Sequence, residues 1–220
     1  MGQTGAEKAC EVHIQTDDVT LEGDLRIPAE ATGVVLFAHG SGSSRQSPRN
    51  QFVGRAVCER GIGTLLFDML TREEEAVDFN SGYLHSNINL LTRRLTAVTE
   101  WFKREYQKLR VGYFGSGTGG GAALIAAAAP GADVGAVVSR GGRPDLAGES
   151  LLRVESPTLL IVGEKDEPVI EMNERAYALL RLPKELQIIP GATHLFEEPG
   201  ALEEVARLAS DWYKAYLSPH

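Results

Sequence analysis

Three residue groups, far apart in the chain, are of the types that together break acyl bonds. The first lies in the stretch Val111-Gly112-Tyr113-Phe114-Gly115-Ser116-Gly117-Thr118-Gly119-Gly120-Gly121. An apolar run, a run of very small residues and a helix-forming run in succession predict a strand, a tight turn and a helix. Such a turn serves two chemistries. One is a nucleophile elbow, where small residues flank a central serine on a strained turn. The other is a dinucleotide turn of the form Gly-x-Gly-x-x-Gly, met by Gly115, Gly117 and Gly120. Read as an elbow, the turn has an anomaly. Its nucleophile position holds Gly117, which accepts a positive φ at little cost but has no side chain to react. Ser116 would put Phe114 where a small residue belongs. Thr118 meets the small-residue pattern but carries a methyl group that crowds a strained turn.

The second and third groups favour the elbow. Asp166 follows an apolar run two strands later, and His194 follows the last such run. The order nucleophile, acid, histidine is one of the known chain orders of a catalytic triad. His39-Gly40-Ser41 follows an early apolar run, where a backbone N–H would join an oxyanion hole. The dinucleotide reading fares worse. It wants an acid about 20 residues on, and the next strand ends in Ser139-Arg140. Only an NADP form, with Arg140 on the 2′-phosphate, stays open. Asp166 has a structural alternative as a helix N-cap before Pro168, and Glu164 and Glu167 are rival acids. Arg45 and Arg140 follow strands at the same edge. They either tie loops together or pair with a substrate carboxylate, which a guanidinium binds in bidentate fashion. Arg143 reads as a brace for its own loop.

These residues can meet only if the chain carries them to one edge of a sheet. The pattern predicts N-terminal strands over 12–16 and 19–27, turning at Asp17-Asp18, then strands over 33–38, 64–67, 111–114, 134–138, 158–162 and 186–189. Helices are predicted over 51–59, 118–128 and 169–182. Apolar residues at Ile88, Leu91, Leu95, Val98 and Phe102 predict a long amphipathic helix, and Leu202, Val205, Ala209, Trp212 and Tyr216 predict a last one. Repeated β-α-β alternation means a mainly parallel, doubly wound α/β sheet with helices on both faces. Ligands in such sheets bind beyond the carboxyl ends of the strands. The longest irregular piece, 70–87, contains Glu73-Glu74-Glu75, Tyr83 and His85. It is read as a possible cover for the site, with the acidic triplet a solvated face.

At this point the chain resembles a known group of proteins. Phe37-Ala38-His39-Gly40-Ser41-Gly42-Ser43-Ser44-Arg45, Val138-Ser139-Arg140-Gly141-Gly142-Arg143-Pro144-Asp145-Leu146, Asp166-Glu167-Pro168-Val169-Ile170 and Pro190-Gly191-Ala192-Thr193-His194-Leu195-Phe196-Glu197-Glu198-Pro199-Gly200 are similar to segments of the α/β-hydrolase superfamily, dienelactone-hydrolase-like branch. The resemblance spans nearly the whole chain. It implies an α/β-hydrolase fold and hydrolysis of small carboxylic esters or lactones, without cofactor or metal. In the implied mechanism a serine attacks, His194 is base and then acid, Asp166 holds the imidazolium, and the N–H groups of Ser41 and Thr118 bind the oxyanion. The branch has Gly-Ala-Ser-Thr-Gly at its elbow, so its serine falls on Gly117. Either a substitution has removed turnover, or a natural member has lost or replaced its nucleophile. The alternative to a hydrolase is a non-catalytic binding module for an anionic small molecule.

Bulk properties narrow the classes. With 220 residues, one domain is expected. A formal charge of −8 argues against nucleic acid or an anionic membrane as partner. Two cysteines, Cys10 and Cys58, make no disulfide framework, and neither sits in a CxxC. The first residues lack the apolar core of a signal peptide, so a cytoplasmic location is expected. Trp101 and Trp212 read as helix packing, and Cys58 as core.

Overall fold

The computed structural model describes residues 8–16, 18–40, 42–181 and 183–218. Asp17, Ser41 and the first residues, on which three sequence expectations fall, lie outside the described residues. Eight strands form one sheet: β1 Lys8–Gln15, β2 Thr20–Ile27, β3 Gly33–Ala38, β4 Gly63–Phe67, β5 Arg110–Ser116, β6 Ala136–Arg140, β7 Thr158–Gly163 and β8 Lys184–Ile189. Their order is β1-β2-β4-β3-β5-β6-β7-β8. The β1–β2 and β2–β4 pairs are antiparallel, and every pair from β4–β3 onward is parallel. This is the mainly parallel α/β sheet that the alternating pattern predicts, in the α/β-hydrolase form that the resemblance implies.

β3, β4, β6 and β7 are buried throughout, which is why they read as continuous apolar runs rather than alternating ones. Helices cover both faces. α4 Ile88–Glu105 turns its stripe of Leu91, Leu95, Val98 and Phe102 onto one face, alongside α5 Thr118–Ala127. α1 Pro48–Glu59 and α7 Ala201–Leu217 cover the other, where Phe37 stacks on Phe114 with ring centroids 4.8 Å apart. Trp212 packs within this second core, and the Tyr213 hydroxyl donates to the Tyr113 carbonyl at 2.6 Å. α6 is Glu167–Leu179, ending earlier than the periodicity predicts. No helix among the described residues is long and apolar enough to cross a membrane.

Two segments differ from the sequence expectation. The 70–87 stretch is not irregular: it holds α2 Arg72–Asp78 and the short α3 Tyr83–Ser86. Thr71 and Glu74 close a reciprocal capping box on α2, with Thr71 Oγ1 accepting from the Glu74 N–H and the Glu74 carboxylate from the Thr71 N–H. Glu74 also takes the guanidinium of the buried Arg94 at 2.8 Å, and Glu75 faces His85 at 3.2 Å. Of the acidic triplet only Glu73 is fully exposed. The second difference is a 3-10 segment, Pro144–Arg153, which lies beyond β6 with a break at Gly148.

Candidate active site

The turn between β5 and α5 is built by glycine at two places where nothing larger fits. A Cβ on Gly115 would lie 2.5 Å from the Gly120 Cα, and one on Gly119 would lie 2.1 Å from the Ala38 carbonyl oxygen. Between them Gly117 has φ 54° and ψ −128°. That is the strained geometry of a nucleophile elbow. Here space is not the constraint. A Cβ on Gly117 would meet only the Gly40 Cα, at 3.9 Å.

β7 and β8 carry the other two groups to the same edge. Asp166 stands just before α6, but its side chain does not cap that helix. It is instead 2.6 Å from His194 Nδ1, so the N-cap alternative gives way to a carboxylate–imidazole pair. With Nδ1–H donating to Asp166, Nε2 of His194 is left with the free lone pair. Glu164 is not the partner: its carboxylate accepts from the Gly191 N–H at 2.7 Å and braces the loop that carries His194. Gly117, Thr118, Arg140, His194, Gly40 and Ser43 line one cavity of about 410 Å³. A larger cavity of about 700 Å³ lies beside Arg45, Asp68 and Glu75 and touches neither Gly117 nor His194. Size therefore does not mark the site; the convergence of the imidazole and the turn does.

The predicted oxyanion donors divide. Ser41 lies outside the described residues, while its neighbour Gly40 packs against the turn. A Cβ on Gly40 would come within 3.1 Å of the Thr118 nitrogen. The Thr118 hydroxyl is already engaged, donating to the His85 carbonyl at 3.0 Å, and so ties the 70–87 segment to the turn, although no residue of that segment lines the cavity. His85 itself is buried, and its Nδ1 is 2.8 Å from Asp78. Burial works to raise Asp78, but hydrogen bonds from the Leu84 and His85 N–H groups, the His85 ring and Ser81 outweigh it and hold the carboxyl well below its usual range. Tyr83 is exposed, and neither it nor His85 lines the cavity. His39, also buried, donates from Nδ1 to the Gly40 carbonyl at 3.1 Å, and its Nε2 accepts from the Met69 N–H at 3.1 Å. Burial is the main force pushing its imidazole down to about 4.

The two predicted arginines have different surroundings. The guanidinium of Arg45 is buried among Glu11, Glu22, Asp24 and Asp68, at 3.3, 2.7, 2.9 and 3.0 Å. Its charge is fully used within the fold, and it is absent from the cavity lining. The expectation that it meets a substrate carboxylate does not fit this placement. Arg140 lines the cavity and is only 8% exposed. Its Nη1 is buried with no hydrogen-bond partner, and it forms no ion pair with any described residue. Its guanidinium carbon stands 5.8 Å from the Phe114 ring centroid. Burial first, and then the neighbouring charge of Arg49, bring it down to about 10, so it remains a cation at neutral pH. An unpaired buried charge costs several kcal/mol. Arg143 is clasped by Asp145 at 2.8 and 2.7 Å, within its own loop. Sequence reasoning missed Arg49, in the first turn of α1. The one available signal was its place beside the serine-rich loop after β3.

Comparison with known proteins gives a consistent picture. The sequence profile of the dienelactone hydrolase family matches residues 21–218. A crystal structure of a dienelactone hydrolase from Anabaena variabilis is similar over 96% of this chain and 99% of its own, with 54% identity and a TM-score of 0.94. The esterase Est1E from Butyrivibrio proteoclasticus shares the fold at 18% identity and a TM-score of 0.77, covering 93% of this chain and 98% of its own. Two Mycobacterium tuberculosis proteins, provisionally named phosphoribosyl transferases, are 52% identical over 209 residues. That match covers 94% of this chain but 46% of theirs, so the chain spans about half the length of these curated relatives.

Proposed function

Because this chain belongs to the dienelactone hydrolase family, we propose that its site is laid out to cleave small carboxylic esters or lactones, and that Gly117 withholds the nucleophile. The observation that carries this reading is the 2.6 Å Asp166–His194 pair, whose imidazole lines the same cavity as the strained turn at Gly117. With a serine at 117, its Oγ would attack the acyl carbon while His194 Nε2 took the proton. The N–H groups of Thr118 and Ser41 would receive the developing oxyanion. His194, now imidazolium and held by Asp166, would protonate the leaving alkoxide, and water would repeat the sequence to free the acid. As the chain stands, His194 can act only on water, and catalysis without the nucleophile is limited to about 10³–10⁴-fold over the uncatalysed reaction.

The test is Gly117→Ser. A Cβ there has room, and the positive φ costs about 1–3 kcal/mol of stability. Hydrolysis of short-chain p-nitrophenyl esters should rise at least ~10³-fold, because removal of a triad serine elsewhere costs about 10⁶-fold. A fluorophosphonate probe should label the new serine. A folded Gly117→Ser protein that neither labels nor turns over would end the hydrolase reading.

One observation favours a second reading. Arg140 keeps a buried, unpaired charge on the cavity wall, as a binding module for an anionic small molecule would require.

A further inference from the structure

The charged side chains lining the 410 Å³ cavity are Arg49, Arg140 and Arg143; no described aspartate or glutamate lines it, Asp166 standing behind His194 at 2.6 Å. Arg143 is neutralised by Asp145. Arg49 touches the exposed Glu197 only at 3.4 Å, and its Nε is buried without a partner. Arg140, more than nine-tenths buried, has no ion-pair partner among the described residues, and its Nη1 has no hydrogen-bond partner; its one charge-compensating neighbour is the Phe114 ring at 5.8 Å. Two cations are thus left under-compensated on one wall. The turn adds a third element of the same sign. α5 has 10 residues; the Gly120 N–H is taken by the Gly117 carbonyl at 3.1 Å, and the N–H groups of Thr118 and Gly119 before it have no acceptor within the helix; Thr118, at its start, lines the cavity. At Gly117 no side chain stands between the cavity and this helix start.

We propose that the cavity is a receptor for a phosphate group, free or carried as a monoester of a small alcohol, seated at Gly117 between the start of α5 and Arg140, with Arg49 alongside. This rests on the second reading above and does not depend on turnover. A tetrahedral dianion suits the site better than a planar carboxylate for two reasons. Its donors come from three separate elements, the tip of β6, the first turn of α1 and the N-terminus of α5, and so are not confined to one plane. It also brings two charges to two under-compensated arginines. Glycine at 117 belongs to the same logic. A serine side chain would occupy the space next to the amides that the anion needs.

Titration calorimetry at low ionic strength separates the possibilities, with inorganic phosphate, phenyl phosphate and succinate as ligands. The unmodified chain should bind phosphate or its monoester saturably. Tighter phenyl phosphate than inorganic phosphate identifies a monoester site, and the reverse identifies free phosphate. Binding should weaken about tenfold or more in Arg140→Gln, recover in part in Arg140→Lys, and weaken in Gly117→Ser. Arg175→Gln, an exposed arginine away from the cavity, should bind as the unmodified chain does. An amide ¹⁵N spectrum of the unmodified chain needs no variant, and phosphate should shift residues 117–119. Saturable succinate without phosphate binding overturns the phosphate proposal and leaves the anionic reading standing. No saturable binding of any of the three overturns both. Phosphate binding indifferent to Arg140→Gln, or without movement of the 117–119 amides, overturns the site.

Discussion

His39 and His194 each follow a strand at the same edge of the sheet, yet their surroundings give them opposite work. His194 is half exposed, with a carboxylate on Nδ1 and Nε2 left open. His39 is buried, and its two nitrogens are used by Gly40 and Met69 in a way that only the neutral ring satisfies. Protonating Nε2 would break the bond from the Met69 N–H. With a folded value of about 4 against an ordinary 6.5, the unfolded chain binds the proton first as pH falls. Stability is therefore complete above about 6.5 and is lost as pH drops toward 4, by on the order of 3 kcal/mol from this group. Urea denaturation at pH 7 and at pH 4.5 should show the loss, and His39→Gln should show a smaller difference between the two conditions. Residue types alone made both histidines candidates for the site edge. They could not say which would be walled in, because burial is contributed by neighbours that are distant in sequence.

At the scale of elements, the β5–α5 turn sets the terms. Its strand, its bend and its helix were all legible in the run from Val111 to Gly121, since period, residue size and helix propensity change within a few residues. The glycines in it are not equivalent. Gly117 has room for a side chain and pays only for its backbone conformation, whereas Gly119 is pressed against the Ala38 carbonyl at the end of β3. Gly119→Ala should therefore destabilise the protein by about 3 kcal/mol or more, read as a lowered denaturation midpoint, while Gly117→Ser should remain folded. The 70–87 segment was harder to read. α2 and α3 are 7 and 4 residues long, too short for a periodic signal, and are held by the Thr71–Glu74 capping box, the Glu74–Arg94 pair and the Asp78 acceptor cluster. The capping box could have been found from Thr71 and Glu74 at their spacing. The pairs to Arg94 and His85 needed the tertiary fold.

Across the whole molecule, Arg45 is the knot that joins separate parts of the chain. It hangs from the loop after β3 and gathers Glu11 from β1, Glu22 and Asp24 from β2, and Asp68 at the end of β4. Removing the cation leaves those partly exposed carboxylates facing one another without a counter-charge. Arg45→Met should cost about 2–3 kcal/mol of stability, measured by denaturant midpoint, with the loss eased at acid pH where the carboxylates protonate. Phosphate affinity should be little changed, because Arg45 does not line the cavity of Gly117 and His194.

The order of strands and helices, the parallel sheet, the edge where polar residues collect and the side-chain-free position at Gly117 were all present in the sequence, because periodicity, turn chemistry and residue type are local properties. Tertiary structure alone decided which of two similar arginines was spent. Arg45 and Arg140 both follow strands, and only the packing of β1, β2 and β4 around one, and of Phe114 and Arg49 around the other, leaves the first neutralised and the second without an ion-pair partner among the described residues. Pairing of charges is a matter of distance in space, and the chain's own order does not contain it.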